Sequence, residues 1–262
     1  MTTETYDLQK ALKLSVMLGA ALMENGAEIY RVEESILFVL RAYGAKRIDV
    51  YALPNIIIVT IETAEDISFT KTRRIHHRTV DFERLIRLND FARRLSSKPI
   101  PPEEGIDILT CYCRGCGYSP PVIWISYGLA AASFAMMSGG NFADAAVSIL
   151  CVFMARVVTV PLELRHSNDF FTTMIATYIQ IVVAFIFSTY FSNLHLNNII
   201  VGTLMMLFPG RGFMTAVRDV IAKDLSAGLI EVMEAVVIAV AIAIGSALAY
   251  ATFPLLVEVM PL

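Results

Sequence analysis

Two carboxylates, Glu231 and Glu234, stand three residues apart inside an apolar stretch running from Leu225 to Phe253. Three residues apart on a helix puts them on neighbouring positions of one side. An acid withdrawn from water holds its proton more tightly and can pick one up, so such a pair suits proton coupling or a cation-compatible path. The alternative is snorkelling, or pairing with Arg211 or Arg218, at the membrane edge. Just upstream, Pro209-Gly210 interrupts a second apolar stretch, Ile199 to Phe208. Proline removes a backbone donor and glycine tolerates any backbone geometry, so a broken helix there would offer free N–H and C=O groups to a solute. The other reading is a plain turn into an interfacial helix. Arg211, Arg218 and Asp219 follow at once, and Arg218-Asp219 also reads as a structural ion pair.

Two further groups have chemical potential. Asn141 and Asp144 are spaced as a helix N-cap and its third residue, which is a capping arrangement. Asp144 at the mouth of a span could instead line an outer vestibule. Cys111, Cys113 and Cys116 form C-x-C-x-x-C, three thiols that His76 or His77 could complete into a metal site. No second C-x-x-C accompanies them, so free thiols at a membrane surface are the simpler reading. Nucleophile elbow, P-loop and H-E-x-x-H patterns are missing from the sequence, which argues against an ATP-driven pump within this chain and suggests no cofactor.

The elements that must position these residues follow from composition. Of 262 residues, 56% are hydrophobic and only 17% charged. Soluble domains carry roughly 25% charge, so a membrane protein is expected. Residues 1–121 hold sixteen Lys/Arg and sixteen Asp/Glu, the remainder five and eight. The first part therefore reads as a soluble domain and the second as a bundle of spans. The net charge of −3 gives no hint of a nucleic-acid partner. Met1 to Tyr6 lacks a basic segment leading into an apolar run, so no secretory signal is read there.

Along the soluble part, Leu8, Leu12, Val16 and Leu22 fall near helical spacing, and Asn25-Gly26 ends that helix. Ile29, Val32, Ile36, Leu40 and Tyr43 give a second apolar stripe, stopped by Gly44. The period then changes to two: Ile48–Ala52, Ile56–Ile61 and Ile67–Lys71 read as strands, with a turn at Pro54-Asn55. Phe82, Leu85, Leu88, Ala92 and Leu95 form a third helix stripe. The order α-α-β-β-β-α predicts a cytosolic α+β domain, residues 1–110, with helices on one sheet face. Residues 111–121 read as a Cys/Pro-rich linker, preceded by a short helix at Glu103–Thr110.

Residues 122–253 predict an α-helical membrane domain of about five spans: Val122–Ser138, Phe142–Val160, Thr172–Phe191, the short Ile199–Phe208, and Leu225–Phe253. Residues 254–262 form a C-terminal tail. Arg156 and Arg165 flank the second loop, and Arg211, Arg218 and Lys223 lie in the fourth. The first and third loops have no Lys or Arg. The positive-inside bias then places the N-terminus in the cytoplasm and the C-terminus outside. Ala235, Ala239, Ala243 and Ala247, with Gly245 and Ala249 nearby, offer a small-residue packing face on the last span.

Two motifs carry a family resemblance. Glu24-Asn25-Gly26-Ala27-Glu28-Ile29-Tyr30-Arg31-Val32-Glu33-Glu34 resembles the N-terminal signature of the threonine/serine exporter family. Pro209-Gly210, Arg218-Asp219, Gly228 and Glu234-Ala235 resemble its last membrane segments. Family members often show Gly-Asp where this chain has Lys223-Asp224. With one hydrophobic set, the chain is most similar to the YjjP-like larger subunit of a split exporter. The resemblance implies a small YjjB-like membrane subunit as partner, an oligomeric complex, and a bacterial cell (plasma) membrane location. It also implies secondary transport, read here as proton-coupled, exporting threonine and serine or a dicarboxylate such as succinate, and no enzyme activity. Asn25, Gly26, Glu28, Tyr30, Arg31 and Glu33 become motif positions of the cytosolic domain. Glu234, the deeper acid by sequence, is the first choice for the path. The rival reading is a membrane-anchored sensor or scaffold whose cytosolic domain binds a metal or ligand.

Overall fold

The computed structural model describes residues 3–63, 66–76, 78–114, 118–165, 167–221 and 224–259. His77, Cys116 and Lys223 lie outside the described residues. The chain divides into two compact units, residues 1–117 with 219–230 and residues 118–218 with 231–262.

The first unit opens with α1 (Thr3–Glu24) and α2 (Ile29–Ala42), then β1 (Arg47–Leu53), β2 (Ile56–Glu62) and β3 (Ser68–Arg74), then α3 (Phe82–Ser97) and α4 (Pro102–Arg114). The predicted order α-α-β-β-β-α is therefore what forms. The strands make an antiparallel meander in the order β1-β2-β3. Val50 faces Val59 across the first pair and Ile61 faces Phe69 across the second. Ile57, Val59 and Ile61 bury one face of β2, which fixes the register, because a one-residue slip would turn all three outward. The edge strand β3 is mostly exposed.

The helix α1 is the hub. It packs on α2, α3, α4, β2 and β3. Its sequence stripe understates this role: Leu14, Leu18, Leu22 and Met23 are all within 1% of full burial, on more than one side. Burying each such side chain contributes about 1.5–3 kcal/mol. Gly26 and Gly44 take φ of 90° and 89°, the left-handed geometry that lets each helix stop where the sequence signals it. One boundary differs: α4 continues to Arg114, so Cys111 and Cys113 are helical rather than part of a linker.

The second unit contains α5 (Pro120–Met137), α6 (Phe142–Leu164), α7 (Asp169–Tyr190), α8 (Leu196–Leu204) and most of α9 (Gly210–Ile221) and α10 (Leu225–Val259). Among the described residues, four helices are long and apolar enough to cross a membrane: α5, α6, α7 and α10. The short fourth segment becomes α8, whose 9 residues span about 14 Å, roughly half of a 30 Å hydrocarbon layer. It packs against α5, α6 and α7. The expected tail at 254–262 is helical through Val259, with Pro254 inside α10.

Candidate functional site

Pro209 and Gly210 join two separate helices. A turn runs through Met205–Leu207, and the Pro209 carbonyl accepts from Phe213 N at 3.0 Å to start α9. This helix turns its apolar residues outward: Phe213, Met214, Val217, Val220 and Ile221 are 40–75% exposed. Ala216 and Asp219 are the buried side. Arg211 is exposed and Arg218 half-buried. Asp224 accepts from Ala227 N at 3.4 Å and so caps α10, while its own N–H donates to Asp219 O at 2.9 Å.

The two acids of α10 occupy different environments. Glu231 is 4% exposed, whereas Glu234 lies on the exposed side with Met233, Val236 and Val237. Sequence depth favours Glu234, but helix rotation buries Glu231. The small-residue face shifts for the same reason. Buried positions are Ala235, Ala241, Gly245 and Ala249, while Ala239, Ala243 and Ala247 face out. The buried row Ala241, Gly245 and Ala249 is two residues out of step with the expected ladder, about 200° around the helix, so it lies on the opposite side.

At the start of α6, Asn141 and Asp144 form the expected capping box, with Asp144 N to Asn141 Oδ1 at 2.8 Å and Asn141 N to Asp144 Oδ2 at 2.9 Å. Asp144 does more than cap. It is fully buried and also accepts from His195 N at 2.8 Å, with His195 Nδ1 at 3.0 Å. Asn141 Nδ2 donates to Asn193 O at 3.0 Å. Together they pin the α7–α8 connection to the α6 N-terminus. His195 was invisible to spacing rules because 51 residues separate it from Asp144.

Sequence patterns also miss the buried polar positions of α7. Thr177 is fully buried and Gln180 is 2% exposed. Thr177 Oγ1 and Gln180 Oε1 have no hydrogen-bond partner among the described residues. Buried polar atoms without partners cost about 1–3 kcal/mol each. Thr177 lies against Gly245 of α10, where a Cβ would come within 2.9 Å of the Thr177 Cβ and 2.5 Å of Met174 O. Polar groups sequestered inside a spanning bundle at such a cost are functional candidates. Their signal in sequence is only two polar letters in an apolar run.

In the first unit the exporter-like motif is mainly architectural. Asn25 is buried and its Nδ2 donates to Ala21 O at 2.7 Å. Gly26 supplies the left-handed turn between α1 and α2. Glu28 pairs with Arg31 at 2.9 Å, and Arg31 Nε donates to the exposed Tyr30 hydroxyl at 3.0 Å. Glu33 Oε1 accepts from Ala52 N at 2.7 Å and ties α2 to β1. Burial pushes the Glu33 carboxyl above its ordinary range, and the nearby Asp224 charge adds to that, against the lowering effect of the Ala52 bond. Cys111 and Cys113 are both exposed, and two residues apart on α4 they point to different sides. No cluster of three or more His, Cys, Asp or Glu with metal-site geometry occurs among the described residues.

No curated protein and no solved structure matches the chain. The family model ThrE, described as a putative threonine/serine exporter, matches residues 13–253. That range takes in the α1–α2 motif, the capping box of α6, the polar positions of α7 and the acids of α10. Four helices fit to cross a bilayer agree with it. This chain is a membrane protein and belongs to the ThrE family of threonine/serine exporters.

Proposed function

We propose that the chain is one subunit of a proton-coupled secondary exporter for small amino acids such as threonine and serine, or for dicarboxylates such as succinate. The observation that carries this reading is the interior polarity of the bundle, above all Thr177 and Gln180 on α7. A hydroxyl and an amide oxygen without hydrogen-bond partners among the described residues of a spanning helix are poised to bond a passing solute. Glu231 adds a buried carboxylate on α10.

A separate small membrane subunit completes the assembly. Only 17–39% of each candidate span's most apolar window is buried. On α10 the exposed Met233, Val236 and Val237 offer that subunit an apolar face. Arg156, Arg165, Arg211 and Arg218 support a cytoplasmic N-terminal unit and an outer C-terminus in a bacterial plasma membrane.

The test is efflux from cells carrying the chain with and without its small partner, across a panel of amino acids and dicarboxylates. Export should require both chains. Glu231→Gln and Gln180→Leu should each lower flux at normal expression. Unchanged flux from both variants removes the bundle interior from the path.

A further inference from the structure

Residues 71–98 carry nine Lys/Arg and three Asp/Glu, a net of +6. The other residues of 1–121 carry seven and thirteen, a net of −6. The first 121 residues are thus neutral as a whole, and the segment running from β3 through α3 holds the positive excess. Seven of its nine cations are exposed. Two cations are neutralised locally: Arg84 lies 3.7 Å from Asp81 and Arg87 2.5 Å from Glu83. Lys71, Arg73, Arg74, Arg93, Arg94 and Lys98 make no ion pair among the described residues, and of the three acids only Asp90 stands outside those two pairs.

The same segment exposes apolar bulk. Val80, Phe82 and Ile86 are 54%, 62% and 62% exposed. Phe82, Ile86 and Arg93 fall within about 40° of one another around α3, at 100° per residue. On its other side α3 buries Leu88, Phe91, Ala92 and Leu95, so the core holds this stripe outward. Tyr30 and Phe38 of α2 share a groove with Ile86 and Arg93 and extend the apolar patch; Glu34 and Asp90 are the acids there. The end of β3 adjoins the start of α3, since Arg74 and Arg84 line one cleft. Large apolar side chains set among cations match a lipid surface, which is anionic at the headgroups and apolar just beneath.

We propose that this basic, apolar-studded face of the N-terminal unit docks on the anionic phospholipid headgroups of the bilayer that the same chain spans. Charge selects the occupant. A second copy would set +6 against +6, whereas an anionic leaflet attracts each cation near it. The candidate spans belong to the same chain, so the unit is tethered to the bilayer it binds and needs little intrinsic affinity. Phe82 and Ile86 enter the boundary between headgroups and acyl chains, and the cations meet phosphates. Docking is independent of transport and is read without flux.

The experiment uses the full chain, one copy per lipid nanodisc. Trp124, its only tryptophan, is changed to Phe, and Phe82→Trp supplies the reporter. The discs hold phosphatidylcholine alone or mixed with phosphatidylglycerol, with bromine on the acyl chains near the headgroups. Indole fluorescence should be quenched in the anionic discs, far less in the neutral ones, and less again in 0.5 M salt. Arg93→Gln, Arg94→Gln and Lys98→Gln together should lower the docked-to-undocked ratio about fivefold for each cation removed. Tm should hold, since all three side chains are exposed. Tyr51→Trp, an exposed position on β1 outside the basic segment, should stay unquenched. If Phe82→Trp melts early, Ile86→Trp replaces it, and single glutamine variants replace an unstable triple. The proposal is overturned if quenching is equal in neutral discs, if it survives loss of the cations, if Tyr51→Trp is quenched as strongly, or if single-stranded RNA binds the face more tightly than the anionic leaflet does.

Discussion

Gly202 on α8 allows a close helix approach in the second unit, and substituting it gives a quantitative test of the packing. A Cβ there would lie 2.7 Å from Ala135 Cβ, 2.8 Å from Ala135 N and 2.9 Å from Ala131 O. Two of the three neighbours are backbone, so no rotamer change relieves them. Reaching an ordinary carbon contact near 3.8 Å requires α8 to move about 1 Å from α5. Overpacking of this kind costs about 1–3 kcal/mol. Alanine regains up to about 1 kcal/mol of helix propensity over glycine, so Gly202→Ala should be neutral to destabilising by about 2 kcal/mol. Gly212 on α9 is the control, since a Cβ there meets nothing within 4 Å. Gly212→Ala keeps only the propensity gain. The two variants should differ by about 1–3 kcal/mol, or roughly 2–12 °C in Tm for a chain of this size. Thermal unfolding in detergent reads the difference. Ala135→Gly should rescue Gly202→Ala only in part, because the contacts to Ala135 N and Ala131 O remain. Equal shifts for Gly202→Ala and Gly212→Ala would refute the α5–α8 contact.

Three other outcomes follow from the geometry. Asp144→Asn replaces an oxygen that accepts N–H bonds with a competing donor; at about 1.5–3 kcal/mol per charge-assisted bond it should cost well over 2 kcal/mol, whereas His195→Ala, which keeps the bond from His195 N, should cost about 1 kcal/mol or less. A reversed order of melting temperatures would contradict the node. Glu33 has a raised pKa in the folded state, so its contribution is complete below its ordinary value of 4.5 and is lost as pH climbs through the raised value. Glu33→Gln keeps an acceptor for Ala52 N, so its stability advantage over wild type should grow from pH 4.5 towards neutrality; an advantage independent of pH would exclude the effect. Gln180→Leu should raise Tm while lowering flux, because a buried amide oxygen without a partner disappears. A fall in Tm would mean that the amide is satisfied in the native state.

The first unit was legible because its signals are local. Period changes, Pro54-Asn55, Gly26 and Gly44 each act within a few residues, and the meander needs no long-range information. The interior of α1 was not, since burial on several sides depends on α2, α3, α4 and the sheet arriving together. The helix α8 shows the same limit: its apolar run reads as a short or broken span, and only the tertiary structure shows 9 residues packed on α5, α6 and α7.

Residue types and spacing alone determined a charged N-terminal domain, an apolar bundle, the Asn141–Asp144 cap and the exporter-like motifs. Tertiary structure alone decided that Glu231 rather than Glu234 is buried, that His195 meets Asp144, and that Thr177 Oγ1 and Gln180 Oε1 have no hydrogen-bond partner among the described residues. Composition and period are properties of a segment. Burial and hydrogen bonding depend on helix rotation and on side chains brought together from distant segments, and a stretch apolar on nearly every side leaves its own rotation unspecified.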